Sequence, residues 1–130
     1  MQIIKNNFLG EAEIKRIRKL LMSRENRNIL ALLTNRENLV MREFATKFNT
    51  TPMELIAYNK HSRISDLRHI YCKLRCENHG LSYAETALEI NRHPSTVWFG
   101  VKRINDLLSL NDQRIVAMWN RAKHIPGYYL

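Results

Sequence analysis

Apolar residues recur at every third or fourth position along most of the chain, which is the repeat of one face of an α-helix. Glycine and proline are scarce, with four and three residues in a chain of 130. Runs of β-branched residues, which favour strands, are absent. The pattern therefore predicts an all-α protein, a multi-helix bundle, and the ordinary share of hydrophobic residues, 45%, indicates that it folds.

Residues 1–36 are predicted to form a helical extension that precedes the bundle. A basic amphipathic helix is indicated over residues 11–22, with an apolar stripe formed by Ile14, Ile17, Leu20 and Leu21. Ser23 can cap a second apolar helix, which ends at the polar run 34–36. That run is the predicted boundary between the extension and the domain.

The next part of the chain predicts three helices separated by polar breaks. The first spans about 38–48, and the second opens at the capping box Thr51-Pro52-Met53-Glu54 and ends near Tyr58. A polar, basic linker, 59–63, then leads to a helix over about 65–77. This helix stops at an Asn-His-Gly sequence.

The segment after this stop has the pattern of a helix-turn-helix. A second capping box, Ser82 to Glu85, opens a helix of about two turns that carries the small residue Ala87. A polar turn at 91–93 follows, and Pro94 starts a long helix, to about residue 108, whose apolar face is Val97, Val101, Ile104 and Leu108. The small residue fits the crossing of two helices, and the polar first turn of the second fits the major groove of DNA.

The charge balance favours a polyanionic partner. Lys and Arg number 21 against 12 Asp and Glu, which gives a formal net charge of +9. Nucleic acid ranks first as the partner and an anionic membrane surface second. No run of eighteen apolar residues, the length that a membrane-spanning helix needs, occurs in the sequence. The first ten residues also lack the layout of a signal peptide, so we expect a cytoplasmic protein with reduced thiols.

The segment from about Glu37 to Lys123 resembles the C-terminal DNA-binding domain of the DnaA family of bacterial chromosomal replication initiators. The resemblance rests on the order of several pieces: Phe44-Ala45, Glu54-Leu55-Ile56, Leu67-Arg68-His69-Ile70, Tyr83-Ala84-Glu85, Arg92-His93-Pro94-Ser95-Thr96-Val97 and Lys102-Arg103-Ile104. It implies a Trp-repressor-like helix-turn-helix domain over 37–124, with a tail at 125–130. It also implies sequence-specific binding of double-stranded DNA in replication initiation or its control, with transcriptional regulation as the nearest alternative.

The resemblance also assigns roles to individual residues. Ser95 and Thr96 match paired hydroxyl residues that open the recognition helix and touch bases and phosphates, although both could be helix caps alone. Arg68 matches an arginine that meets the major groove, and His69 stands where the family has a glutamine. Lys60 aligns with a loop arginine that enters the minor groove.

Further candidate DNA contacts surround these positions. Arg63 could substitute for the loop arginine, and Arg92 could hold phosphates or guanine edges. Of two adjacent aromatic residues that could stack on bases, we expect Trp98 in the core and Phe99 at the surface, where it is a candidate DNA contact. The rest of the candidate interface consists of His93, Lys102 and Arg103.

The chain departs from the family in the sequence of the turn and in lacking the motif of the family's ATPase module. The family's Gly-Gly-Arg-Asp-His turn is replaced by the shorter 91–94, so the DNA sequence recognised by the family is not expected here. No phosphate-binding loop of the type Gly-x-x-x-x-Gly-Lys-Ser/Thr occurs, so we expect neither a bound nucleotide nor another cofactor.

Metal binding and catalysis find little support. Four zinc-ligand types lie along one helix, namely His69, Cys72, Cys76 and His79, but the end residues stand about 15 Å apart at ~1.5 Å per residue and cannot converge on one ion. Buried thiols are the better interpretation. Carboxylates are scattered and no nucleophile lies beside a base, so we do not expect an enzyme.

The main rival to DNA binding is a membrane- or protein-interaction role centred on residues 11–33. Residues 1–36 contain eight Lys and Arg and three acidic residues, a net of +5 of the chain's +9. Such a helix could pair with a second copy, lie on anionic lipid, or pack on the domain. Packing on the domain is the interpretation that we favour, and we do not expect a membrane partner.

Overall fold

The computed structural model describes residues 38–58 and 61–127, and within these ranges the chain is all-helical without a β-strand. The helices are α1 Leu39–Lys47, α2 Pro52–Ile56, α3 Ser62–Lys73, α4 Tyr83–Ile90, α5 Pro94–Ser109 and α6 Gln113–Ala122. A π-helical turn, Leu74–Asn78, continues α3. The predicted all-α bundle is confirmed, while the extension 1–36 and its partner surface at 11–33 lie outside the described residues.

Side-chain caps fix where the helices begin. The Ser82 hydroxyl accepts from the Glu85 backbone N–H at 3.0 Å, and the Glu85 carboxylate accepts from the Ser82 N–H at 2.9 Å, which completes the predicted capping box. The Thr51 hydroxyl accepts from the Glu54 N–H at 3.2 Å, and Pro52 occupies the first helical position. Polar residues at the predicted positions therefore set the starts of α2 and α4.

Asparagines in the left-handed region close three of the helices. Asn49, Asn91 and Asn111 have φ of 56°, 56° and 57° and follow α1, α4 and α5. Asparagine enters this region more readily than most residues, because its short side chain can hydrogen-bond locally. These residues turn the chain sharply, so that consecutive helices fold back on one another.

The core lies around α3, which packs most extensively against α5 and also contacts α2 and α6. At its centre Phe44 meets Phe48, with ring centroids 4.9 Å apart, and Tyr71 edge-on, at 5.3 Å. Full burial of a large apolar side chain contributes roughly 1.5–3 kcal/mol. These ring contacts therefore hold α1 against α3.

A buried polar network joins α3 to α4. The Glu89 carboxylate accepts from the Tyr71 hydroxyl at 2.5 Å and from Arg75 Nε and Nη2 at 3.0 and 2.8 Å. The Tyr71 hydroxyl in turn accepts from the Asn38 amide at 3.0 Å. Burial and the Glu89 charge raise the pKa of Tyr71, so the phenol stays protonated and donates. The network fixes α4 against the core.

The C-terminal part extends beyond the predicted pattern. α6 was not among the predicted helices, and it starts at Asp112, whose carboxylate accepts from the Ile115 N–H at 3.0 Å. Ile125, which opens the predicted tail, is 3% exposed and belongs to the core. Among the residues described here, no helix combines the length and apolar character needed to cross a membrane.

Candidate nucleic-acid interface

α4 and α5 form a short helix, a tight turn and a long helix. Asn91, with φ 56° and ψ 50°, ends α4, and Pro94 occupies the first position of α5. Ala87 of α4 is buried, and α4 packs against α5. A small buried residue in α4 suits the close helix crossing that the sequence pattern predicts.

The first turn of α5 is organised by a histidine cap. His93 Nδ1 accepts from the Ser95 backbone N–H at 3.1 Å and lies 2.9 Å from the Ser95 hydroxyl. Ser95 is exposed and Thr96 is half-buried, so neither hydroxyl residue is enclosed in the interior. The turn therefore presents hydroxyl groups to solvent from a fixed backbone.

The outward face of α5 continues beyond this turn. Its buried face consists of Val97, Gly100, Val101 and Ile104. At 100° per residue, Ser95, Phe99 and Lys102 lie on the opposite side of the helix, and all three are exposed. One solvent-facing line thus carries a hydroxyl, an aromatic ring and an ammonium group.

Trp98 was predicted to lie in the core, and this prediction is wrong. The side chain is 42% exposed, and its ring meets that of Phe99 edge-on, with centroids 4.9 Å apart. Trp98 lies about 110° from the centre of the buried face of α5, outside an apolar stripe of ordinary width. Both members of the aromatic pair are therefore at the surface.

The cations of α5 are partly compensated by acids. Arg103 contacts Asp66 at 2.8 Å, and Arg114 of α6 pairs with the other oxygen of the same carboxylate. Lys102 lies 3.2 Å from Asp106 on the exposed face. Asp66, with only 3% of its side chain exposed, was not a sequence candidate, because Arg103 and Arg114 lie 37 and 48 residues further along the chain and only the fold brings them together. It ties α3 to α5 and α6.

Two of the predicted DNA contacts turn inward instead. Arg68 Nε donates to the Leu55 carbonyl at 2.7 Å, and its Nη2 to Ala57 at 3.3 Å. Arg92 donates to the carbonyls of Ile56 and Ala57 at 2.7 and 3.0 Å. Both arginines therefore cap the C-terminal end of the short helix α2, whose last carbonyls have no partner within the helix.

This arrangement corrects the roles expected of Arg68 and Arg92. Arg68 is 5% exposed, and burial lowers its pKa to about 10, with the nearby Arg92 charge acting in the same direction. Arg68 stays protonated at neutral pH, but its guanidinium donates to backbone carbonyls of the protein and does not extend towards a DNA groove. The Arg92 guanidinium also lies over the Tyr58 ring, 4.7 Å from its centroid. Both residues position α2 and the turn.

His69 lies between α3 and α5. A Cβ built on Gly100 would come 2.8 Å from His69 Cδ2, so glycine is what allows the imidazole to fit against α5. Nδ1 of His69 lies 3.3 Å from Arg103 Nη1. Burial, with the charge of Arg103 acting in the same direction, lowers the pKa of His69 to about 4. His69 is therefore a neutral packing residue at physiological pH.

The low pKa of His69 predicts a pH-dependent contribution to stability. Between about pH 6.5 and 4, the unfolded chain takes up a proton at His69 that the folded chain does not. The free energy of unfolding therefore decreases as the pH falls through this range. Relative to His69→Asn, the parent chain should be most stable above pH 6.5 and lose that advantage towards pH 4. Urea unfolding of both chains across this range measures the difference, since other titrating groups cancel. If the free energy of unfolding changes with pH in the same way in both chains, the low pKa of His69 is contradicted.

The predicted minor-groove loop is only partly described. Lys60 lies outside the described residues. Arg63 is half-buried, and its Nη2 donates to the Phe48 carbonyl at 2.6 Å, at the end of α1. In this arrangement Arg63 joins α3 to α1, so it does not extend freely towards a groove.

The cysteines behave as small core residues. Cys72 is buried, and Cys76 is half-buried with its Sγ 3.4 Å from the Thr86 hydroxyl. Burial raises the pKa of both thiols, so neither is an activated nucleophile at neutral pH. The prediction of buried thiols is confirmed for Cys72.

Together, the fold brings Ser95, Thr96, His93, Phe99, Lys102 and Arg103 onto one helix and its cap, and it separates Arg63, Arg68, Arg92 and His69 into supporting positions. No family model, curated protein or solved structure matches the chain.

Proposed function

We propose that this chain binds double-stranded DNA in a sequence-specific manner, with the first turns of α5 in the major groove, and that it acts in replication initiation or its control. The observation that carries the proposal is the outward face of α5. A turn with two hydroxyl residues is capped by His93 at the start of a long helix, and a line of exposed side chains continues from it.

The supporting contacts suit such a role because they fix the helix without using its outward face. Val97 and Ile104 are fully buried on the opposite side, and Asp66 holds Arg103 from α3. A recognition helix must be held rigidly, since base contacts depend on positions accurate to a fraction of an ångström. The inward-turned arginines strengthen this support by capping α2 beneath the turn.

Electrostatics support a polyanionic ligand, although the exposed cations of α5 are few. The chain has a net charge of +9, and Lys102 with 55% of its side chain exposed lies on the outward line. Its partner Asp106 is also exposed, and a solvent-screened pair of this kind contributes little and can open. Lys102 can therefore exchange a carboxylate for a phosphate at small cost.

Selection of bound sequences from a random, unmodified duplex pool by the full chain tests the proposal. We expect enrichment of one short sequence, and at least about a hundredfold tighter binding of it than of a scrambled duplex. Absence of enrichment, or equal affinity for both duplexes at fixed salt, would reject sequence-specific binding. The genomic position of the enriched sequence, at a replication origin or at promoters, would separate replication from transcription.

Salt dependence tests which cation meets the DNA. Each phosphate contact contributes about −0.9 to the slope of log K against log salt concentration. Lys102→Gln should make the slope less steep by about 1, whereas Lys123→Gln, the same charge change outside α5, should leave it nearly unchanged. Fluorescence anisotropy titrations from about 50 to about 200 mM salt provide the measurement. Equal slopes for both variants would place the phosphate contacts elsewhere.

A further inference from the structure

The aromatic pair on α5 lies at the surface, and neither ring belongs to the hydrophobic core formed by the described residues. Phe99 is 63% exposed and Trp98 is 42% exposed, and the two rings contact each other edge-on. Single exposed apolar side chains are common on protein surfaces and need no explanation. Two large exposed rings that pack on each other form one continuous apolar contact surface instead.

The position of the pair follows from the geometry of the first turn. Phe99 is the sixth residue of α5 and lies one turn beyond Ser95, about 6 Å further along the helix axis. Successive bases of a strand are about 3.4 Å apart, so this distance corresponds to about two base steps. If Ser95 contacts the edge of one base, Phe99 lies near the edge of a base about two steps away.

The chemistry of the major groove limits what an aromatic side chain can recognise there. Guanine, cytosine and adenine present hydrogen-bonding groups, and thymine adds the C5 methyl group. A ring placed over a donor or acceptor would remove water from that group without replacing the hydrogen bond, which is unfavourable. A ring placed on the thymine methyl buries apolar surface on both partners.

We propose that Phe99, held by Trp98, reads the C5 methyl group of thymine in the major groove. This inference rests on the proposed function, and it makes the methyl group a specificity determinant of the recognised duplex. The edge-on contact with Trp98 limits the orientations that the Phe99 ring can adopt, which favours a defined contact with one base edge over stacking on unpaired bases.

Replacing single thymines by deoxyuridine in the selected duplex tests the proposal, because this removes the methyl group and keeps base pairing. At one or two positions, the affinity of the parent chain should fall about fourfold, the value expected for one buried methyl group. With Phe99→Ala the same replacement should have no effect at that position. Anisotropy titrations at fixed salt give both numbers, and the pool contains no modified cytosine as another methyl source.

Leu110→Ala is the matched control, since Leu110 is 77% exposed at the end of α5 and away from the first turns. This variant should keep the full deoxyuridine effect. A parent chain that binds its selected duplex without any deoxyuridine effect, or an effect of equal size in Phe99→Ala, would overturn the inference alone. A chain that enriches no duplex at all would overturn the proposed function first.

The same variants distinguish a contact between two protein copies. If the aromatic pair were a dimer surface, Phe99→Ala would shift the sedimentation of the protein from dimer to monomer and leave the methyl effect intact. That result would overturn the inference. We expect identical sedimentation for the parent chain and Phe99→Ala in the absence of DNA.

Discussion

Replacing Glu89 by alanine is expected to lower the free energy of unfolding of the helical domain by about 3 kcal/mol. The Glu89 carboxylate is the partner of Arg75, whose side chain is only 9% exposed, and of the fully buried Tyr71 hydroxyl. Removal of one partner from a buried ion pair leaves an uncompensated charge, which costs more than the pair itself contributes. Urea unfolding followed by circular dichroism measures the change.

The origin of this loss can be separated from the loss of packing. Adding Arg75→Met to Glu89→Ala removes the unpaired charge, so the double variant should recover at least about 1 kcal/mol over Glu89→Ala alone. Glu43→Ala changes an exposed glutamate of α1 and should stay within about 0.5 kcal/mol of the parent. If Glu89→Ala is as stable as Glu43→Ala, the network does not hold α4 in place.

The order of α4, the turn and α5 was predictable because its signals are local. The Ser82 capping box, the left-handed Asn91 and the proline at the start of α5 each act within a few residues, and each is found where the pattern places it. The phase of the apolar residues in α5 also fixed its buried face. Local signals of this kind are independent of the packing of distant segments.

The contacts that long cationic side chains make were not predictable in the same way. Arg68 and Arg92 occupy positions from which a guanidinium can extend outward or fold inward. They fold inward because α2 has only five residues, so its last carbonyls need donors that the chain supplies from α3 and the turn. A substitution of Arg68 therefore tests the support of α2 more than a DNA contact, and Arg68→Ala is not expected to leave the fold intact.

Trp98 illustrates a different limit. Residue type favours burial of tryptophan, whereas the helical repeat places it beside the apolar stripe of α5 rather than in it. The repeat decides the outcome because Val97, Val101 and Ile104 already fill the interface. Size alone is therefore a weaker guide than phase on a long helix that is packed on one side only.

A negative charge in the first turn of α5 should separate DNA binding from stability. With Ser95→Glu, we expect at least a tenfold loss of affinity for the selected duplex, because a carboxylate on the outward turn repels phosphate groups. The same charge lies near the positive end of the helix dipole, where α5 has no acidic residue, so stability should stay equal or rise by up to about 1 kcal/mol. Anisotropy titration and thermal unfolding measure the two quantities.

Gln113→Glu provides the matched control, because it introduces the same charge into the first turn of α6, which also lacks an acidic residue. Both variants lower the net charge of the protein equally, so a general electrostatic effect on DNA binding would be the same for each. Only the position of the charge differs. A loss of affinity confined to Ser95→Glu would support α5 as the DNA-contacting helix, whereas equal small losses in both variants would mean that the first turn of α5 does not contact DNA.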